Sequence, residues 1–279
     1  MPNIRAVVSG DVPIGSGVSS SAALELGFGV LWAELCGLEL SGKEMALLGQ
    51  RSENDFVGVR TGIMDQMACA LGKAGHAMFL DTRTLAIRYA KVPENLSVVI
   101  CDTKKPRALT DSAYNERRAQ CEEASRVLGV RALRDATLEM LEARQEEMGQ
   151  VVYRRARHVI TENQRCIEFA EALEDRNLPK LGELMRASHE SLRDDYEVSC
   201  PELDQMAEAA WSSPGCVGGR MTGAGFGGAC VALVESARMD GFQREVLAKY
   251  REAAGKDGEV TPCLLADGAK AFRTGPTAV

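Results

Sequence analysis

The run Pro13-Ile14-Gly15-Ser16-Gly17-Val18-Ser19-Ser20-Ser21 constrains this chain more than any other stretch. It stands between a short β-type run, Ile4–Ser9, and a segment where Ala22, Ala23, Leu26, Val30 and Leu31 recur at helical spacing as far as about Cys36. A strand that turns through glycines into a helix sets the unpaired N–H groups of the first helical turn at the mouth of the turn. Glycine lets the backbone close around a ligand. The serines add hydroxyls that can donate to phosphate oxygens or ligate a hard cation. A plain capped turn is the competing reading, because serine is a routine N-cap residue.

Two familiar phosphate loops fit poorly. A Walker A loop ends in GK[ST], and no lysine occurs between Met1 and Glu39. A dinucleotide fingerprint needs a third glycine where Ser20 stands, and an acidic residue on a following strand where this chain continues as helix. A nicotinamide-dependent oxidoreductase therefore has little support.

The remaining composition narrows the class. With 279 residues, 45% apolar and 26% charged, the chain can fill one large domain or two ordinary ones. A net charge of −7 argues against duplex nucleic acid as a partner, although a local loop can still bind a small anion. No apolar run approaches the ~18 residues of a membrane span, and Met1–Arg5 does not begin a secretory leader. Nine cysteines without a CxxC pair read as reduced thiols and give a cytoplasmic address.

Downstream, Ser41-Gly42-Lys43-Glu44 has the pattern of a capping box and opens a helix to about Phe56. Thr61 is placed to cap a helix that ends at Gly72. His76–Thr82 and Ala86–Val92 read as paired strands, and Leu96–Asp102 as a buried one. Helices are expected over Ser112–Leu128, Ala136–Glu147, Val151–Glu174 and Leu178–Asp194. A glycine-dense turn, Gly218–Gly228, then runs into the strand ACVALVE, a helix at Met239–Ala253 and a strand at Gly258–Leu265. The basic run Arg154–His158 reads as a solvated helix face, and His189 as a packing or hydrogen-bonding residue.

The phosphate-loop sequence PIGSGVSSSAALE resembles the second signature of the GHMP kinases. It is joined in order by GIMDQ at Gly62–Gln66, SAYNERRAQCEEA at Ser112–Ala124, SHESLRDDYEVSCPELD at Ser188–Asp204 and GGRMTGAGFGG at Gly218–Gly228. This wording resembles the galactokinase branch and covers nearly the whole chain. The resemblance implies an α+β, two-lobed fold: a ribosomal-protein-S5-like lobe over residues 1–95 and an α+β lobe over residues 96–279. It implies transfer of the γ-phosphoryl group of ATP to the C1 hydroxyl of galactose.

Residue roles follow from the same resemblance. Gly15, Ser16, Gly17, Val18, Ser19, Ser20 and Ser21 would hold the ATP phosphates, with Ser21 and Glu53 as ligands of Mg²⁺. Asp65 would orient or deprotonate the sugar hydroxyl, and its first-turn position favours the carboxylate. Gly62 and Tyr114 would contact the sugar, and Gly223, Gly225, Gly227 and Gly228 would support the phosphate region. Ordinary readings stand beside these: a first-turn aspartate, a solvated glutamate, a half-buried tyrosine and a tight turn into a strand.

One departure is large. The family carries an upstream segment resembling GRVNLIGEHTDYNGG, which supplies an arginine near the transferred phosphate and side chains that grip the sugar; only Met1–Val12 precedes Pro13 here, and nothing in it matches. Weak activity, or a sugar- or nucleotide-binding fragment or sensor on the same scaffold, is the alternative expectation.

Overall fold

A computed structural model describes residues 3–13, 17–58, 61–106 and 110–274, without the side chains of 110–112. Those residues gather into two units. One holds residues up to 13, 18–91 and 264–274; the other holds residue 17 and 92–263. The tail returns to the first unit through Gly268 N–H on the Gly72 carbonyl (2.9 Å) and Ala269 N–H on the Cys69 carbonyl (2.8 Å). The tail from residue 264 onward thus belongs with the first unit.

In the first unit, α1 (Ser20–Cys36), α2 (Gly42–Arg51) and α3 (Met64–Leu71) pack beside an antiparallel hairpin of β1 (His76–Leu80) and β2 (Ile87–Lys91). The capping box at the start of α2 forms as expected, with Glu44 N–H donating to Ser41 Oγ and Ser41 N–H to Glu44 Oε2. Gly49 is the meeting point of the three helices. A Cβ there would lie 2.9 Å from Leu26 Cδ2 of α1 and 3.3 Å from Gln66 Cγ of α3. Ala22, Leu26 and Ala33 line the buried side of α1, whereas Ala23, Val30 and Leu31 are only half-buried.

Two expectations fail here. Ile4–Ser9 forms no strand; it pairs with no described segment, and Val7 is 98% exposed. An extended run becomes a strand only when a neighbour accepts its backbone groups. Thr61 does not cap α3, whose N-cap is Ile63 without a side-chain hydrogen bond. Beyond Arg51 the α-helix gives way to a π-helical stretch over Ser52–Val57.

The second unit is built on a four-stranded antiparallel sheet in the order β4 (Cys216–Met221), β5 (Gly228–Glu235), β3 (Leu96–Lys105), β6 (Glu259–Cys263). Its apolar residues Val99, Cys101, Ala232 and Val234 meet Met206 and Ala207 of α8 (Pro201–Trp211) and Phe242, Val246 and Tyr250 of α9 (Met239–Ala254). A second core joins α4 (Thr110–Leu128), α5 (Leu138–Ala143) and α6 (Gln145–Glu174) through Leu128, Leu141, Ala156 and Ile160. α7 (Leu178–Asp194) lies so close to β4 that a Cβ on Gly182 would stand 2.1 Å from the Val217 carbonyl.

The basic run is not a solvated face. Arg155 and His158 are 2% and 5% exposed, while Arg154 and Arg157 lie nearer the surface and pair with Glu197 and Asp195. Periodicity identifies faces of a helix but not how much protein covers each one. All nine cysteines are free, and no described helix is long and apolar enough to cross a membrane.

Candidate active site

The first turn of α1 follows the glycine- and serine-rich run singled out in the sequence. Ser19 occupies the N-cap position in a left-handed conformation (φ 63°), and its side chain makes no capping hydrogen bond. The first intrahelical bond runs from Ala23 N–H to the Ser19 carbonyl at 3.0 Å, so the N–H groups of Ser20, Ser21 and Ala22 lack helical acceptors. The capped-turn alternative is therefore not realised. Gly17 adopts φ 79°, a conformation that favours glycine. Gly15 and Ser16 lie outside the described residues.

Glu53 sits half-buried in the π-helical stretch. Such stretches are rare and recur at functional sites, because the widened turn re-aims the side chains within it. Asp65 sits half-buried in the first turn of α3, as anticipated, where unpaired N–H groups favour an anion.

What joins these two carboxylates escaped the sequence reading. Asn54, the residue after Glu53, accepts the N–H of Thr61 on its Oδ1 at 2.9 Å. Gln50, on α2, donates from Nε2 to the Thr61 carbonyl at 3.2 Å. Both backbone groups of Thr61 are thus held by the helix that carries Glu53, four residues before Asp65. Asparagine and glutamine carry no motif of their own here, so only the three-dimensional arrangement exposes the latch.

Gly62 follows that latch and is exposed. Its φ lies outside the left-handed region, and a Cβ added to it would meet nothing within 4 Å. Neither backbone conformation nor packing requires glycine at this position.

Three buried polar atoms near α2 have no partner: Glu25 Oε2, Thr61 Oγ1 and Gln66 Oε1. A Cβ on Gly49 would come within 3.2 Å of that Glu25 oxygen.

In the second unit, Tyr114 is 44% exposed on α4. The glycine loop connects β4 to β5 and is closed by Thr222 N–H on the Ala229 carbonyl at 3.0 Å. Gly223, Gly225, Gly227, Gly228 and Phe226 all have positive φ. His189 is fully buried and structural, as expected. Its Nδ1 accepts the Met221 N–H at 3.1 Å, which fixes the tautomer so that Nε2–H faces Asp204 Oδ1 at 3.1 Å. It braces the end of β4, where the loop begins.

Comparison with known proteins gives these features a class. Residues 2–73 match the GHMP kinases N terminal domain and residues 169–252 the GHMP kinases C terminal domain. A galactokinase of Roseiflexus sp. (strain RS-1) is 44% identical over 267 residues, covering 94% of this chain and 68% of that protein. The crystal structure of Lactococcus lactis galactokinase complexed with galactose superposes with a TM-score of 0.88 at 40% identity, over 93% of this chain and 68% of the other. A more distant likeness, to the crystal structure of L. major mevalonate kinase in complex with R-mevalonate, shows the fold alone, with a TM-score of 0.60 at 20% identity over 90% of this chain and 66% of the other. The chain belongs to the galactokinase family of the GHMP kinases.

Proposed function

We propose that this chain transfers the γ-phosphoryl group of ATP to the C1 hydroxyl of galactose. The observation that carries the reading is its continuous similarity to galactokinases over 94% of its length. The free N–H groups at the start of α1 suit nucleotide phosphates, and Gly17, Val18, Ser19, Ser20 and Ser21 line that turn. Gly62, with no structural need to be glycine, leaves room for a sugar against its backbone. Asp65 orients the acceptor hydroxyl and takes its proton as the new P–O bond forms.

The donor set of Ser21 and Glu53 fits magnesium, since a hydroxyl and a carboxylate are hard oxygen ligands that leave the ion most of its waters. Among the described residues, neither side chain is taken up by another protein group. When bound, the ion neutralises charge on the β- and γ-phosphate oxygens. In the second unit, Tyr114 would donate to a sugar hydroxyl, and Gly223, Gly225, Gly227 and Gly228 would form the loop that supports the phosphates. Nine free cysteines accord with the reducing cytoplasm.

Asp65→Asn tests the assignment. It should leave binding of galactose and of the magnesium complex of a non-hydrolysable ATP analogue within about threefold while lowering turnover by ~10²-fold or more. Turnover unchanged in the variant would remove Asp65 from the chemistry.

A further inference from the structure

The turn that follows α7 is held by two arginines from two other helices. Arg117 of α4 donates from Nε to the Tyr196 carbonyl at 2.6 Å and from Nη2 to the Glu197 carbonyl at 2.9 Å. Arg155 of α6 donates from Nη1 to the Asp195 carbonyl at 2.5 Å and from Nη2 to the Glu197 carboxylate at 2.5 Å. Both guanidinium groups also reach one acceptor, Gln120 Oε1, at 3.4 and 3.2 Å. Arg117 is 9% exposed and Arg155 2%.

Burying two like charges side by side is costly unless their donors are filled. Ending a helix does not require it, because a left-handed residue suffices, and Glu197 already takes that conformation at φ 52°. The arginines therefore specify something finer than a helix end.

What the turn delivers is the carbonyl of Val198. It accepts the Phe226 N–H at 2.8 Å, a backbone hydrogen bond from within the glycine loop. The loop closes so tightly on this oxygen that a Cβ on Gly225 would stand 2.1 Å from it. At the other end of the clamp, Arg117 lies three residues after Tyr114 on the same helix.

We propose that Arg117 and Arg155 are positioning residues for phosphoryl transfer: through the Val198 carbonyl they fix the glycine loop to the helix that carries Tyr114. This rests on the reading of the loop as part of the nucleotide site. Neither arginine touches substrate; both act through the turn.

The test is amide hydrogen exchange on the 279-residue chain and on Arg117→Lys and Arg155→Lys, paired with calorimetric binding of magnesium and a non-hydrolysable ATP analogue. Lysine keeps the charge but cannot reproduce the planar fork. Exchange at the Phe226 amide should rise about tenfold, while Val231 and Ala232 inside β5 keep their protection. Analogue affinity should fall about three- to tenfold. Unchanged Phe226 exchange in both variants overturns the proposal. Faster exchange with unchanged affinity overturns the link to phosphoryl transfer and leaves only a mechanical clamp. Failure of the unsubstituted chain to bind the analogue would count against the nucleotide reading itself, which the exchange data do not depend on. Should either lysine variant lose protection throughout, Glu197→Ala removes the side-chain arm on Arg155, together with the Arg154 ion pair, and leaves the backbone carbonyl contacts of Arg117 and Arg155 in place. Faster Phe226 exchange in that variant supports the clamp, and none contradicts it.

Discussion

Asn54 Oδ1 accepts the backbone N–H of Thr61 at 2.9 Å, so the residue beside one candidate ligand of magnesium holds the segment that leads into Asp65. Together with Gln50 it joins α2 and its π-helical extension to the segment that leads into α3. The spacing between Glu53 and Asp65 is thereby set by two side-chain amides.

Replacing Asn54 by alanine removes the acceptor of a part-buried N–H. The expected destabilisation is about 1–2 kcal/mol in urea unfolding, with galactose phosphorylation reduced by more than the loss of folded protein explains. Asn54→Asp retains an acceptor oxygen and should recover most of both losses. Equal behaviour of the alanine and aspartate variants would show that the latch does not set the site.

The glycines divide into two kinds, and alanine separates them. Gly225→Ala places a methyl group 2.1 Å from the Val198 carbonyl at φ 86°. It should lower stability by ~2 kcal/mol or more on thermal or urea unfolding. Gly62→Ala meets open space at an ordinary φ and should leave stability within ~0.5 kcal/mol while weakening galactose binding. A stable Gly225→Ala protein, or a Gly62→Ala protein with unaltered sugar affinity, would contradict the respective assignment.

His158 supplies a pH dependence. Burial lowers its pKa from 6.5 to about 4, with its Nδ1 3.0 Å from Ser191 Oγ. The unfolded chain therefore binds the proton more readily than the native one between those values. Its stabilising contribution is complete above about pH 6.5 and declines as the pH falls towards about 4, by up to ~3 kcal/mol. The urea midpoint should fall less between pH 7 and pH 4.5 in His158→Gln than in the unsubstituted protein. Parallel pH profiles would show that the histidine does not contribute.

Much of this architecture was legible because it rests on local chemistry. The capping box at Ser41 and Glu44 and the Asn177 cap that opens α7 follow from side chains acting on their own backbone, and α3 stops at Gly72 as expected. The helix α8 went unread although Pro201 stands at its first position, a recognised start signal. Long-range facts were beyond local pattern. Ile4–Ser9 lacks a partner strand, and Thr61 is drawn into the latch with Asn54 rather than into a cap. Arg155 and His158 are buried because α7 and the turn after it cover them. The individual members of the site were suggested by their resemblance to a family; the connections that hold them came only from the fold.

This chain spans 68% of the length of the galactokinases it resembles.

The central claim is tested most directly by ³¹P NMR of the chain in excess over galactose with magnesium and ATP. The expected result is accumulation of galactose 1-phosphate, lowered ~10²-fold or more with Asp65→Asn. No galactose 1-phosphate, phosphate on another hydroxyl, or equal product from the Asp65→Asn variant would contradict the account.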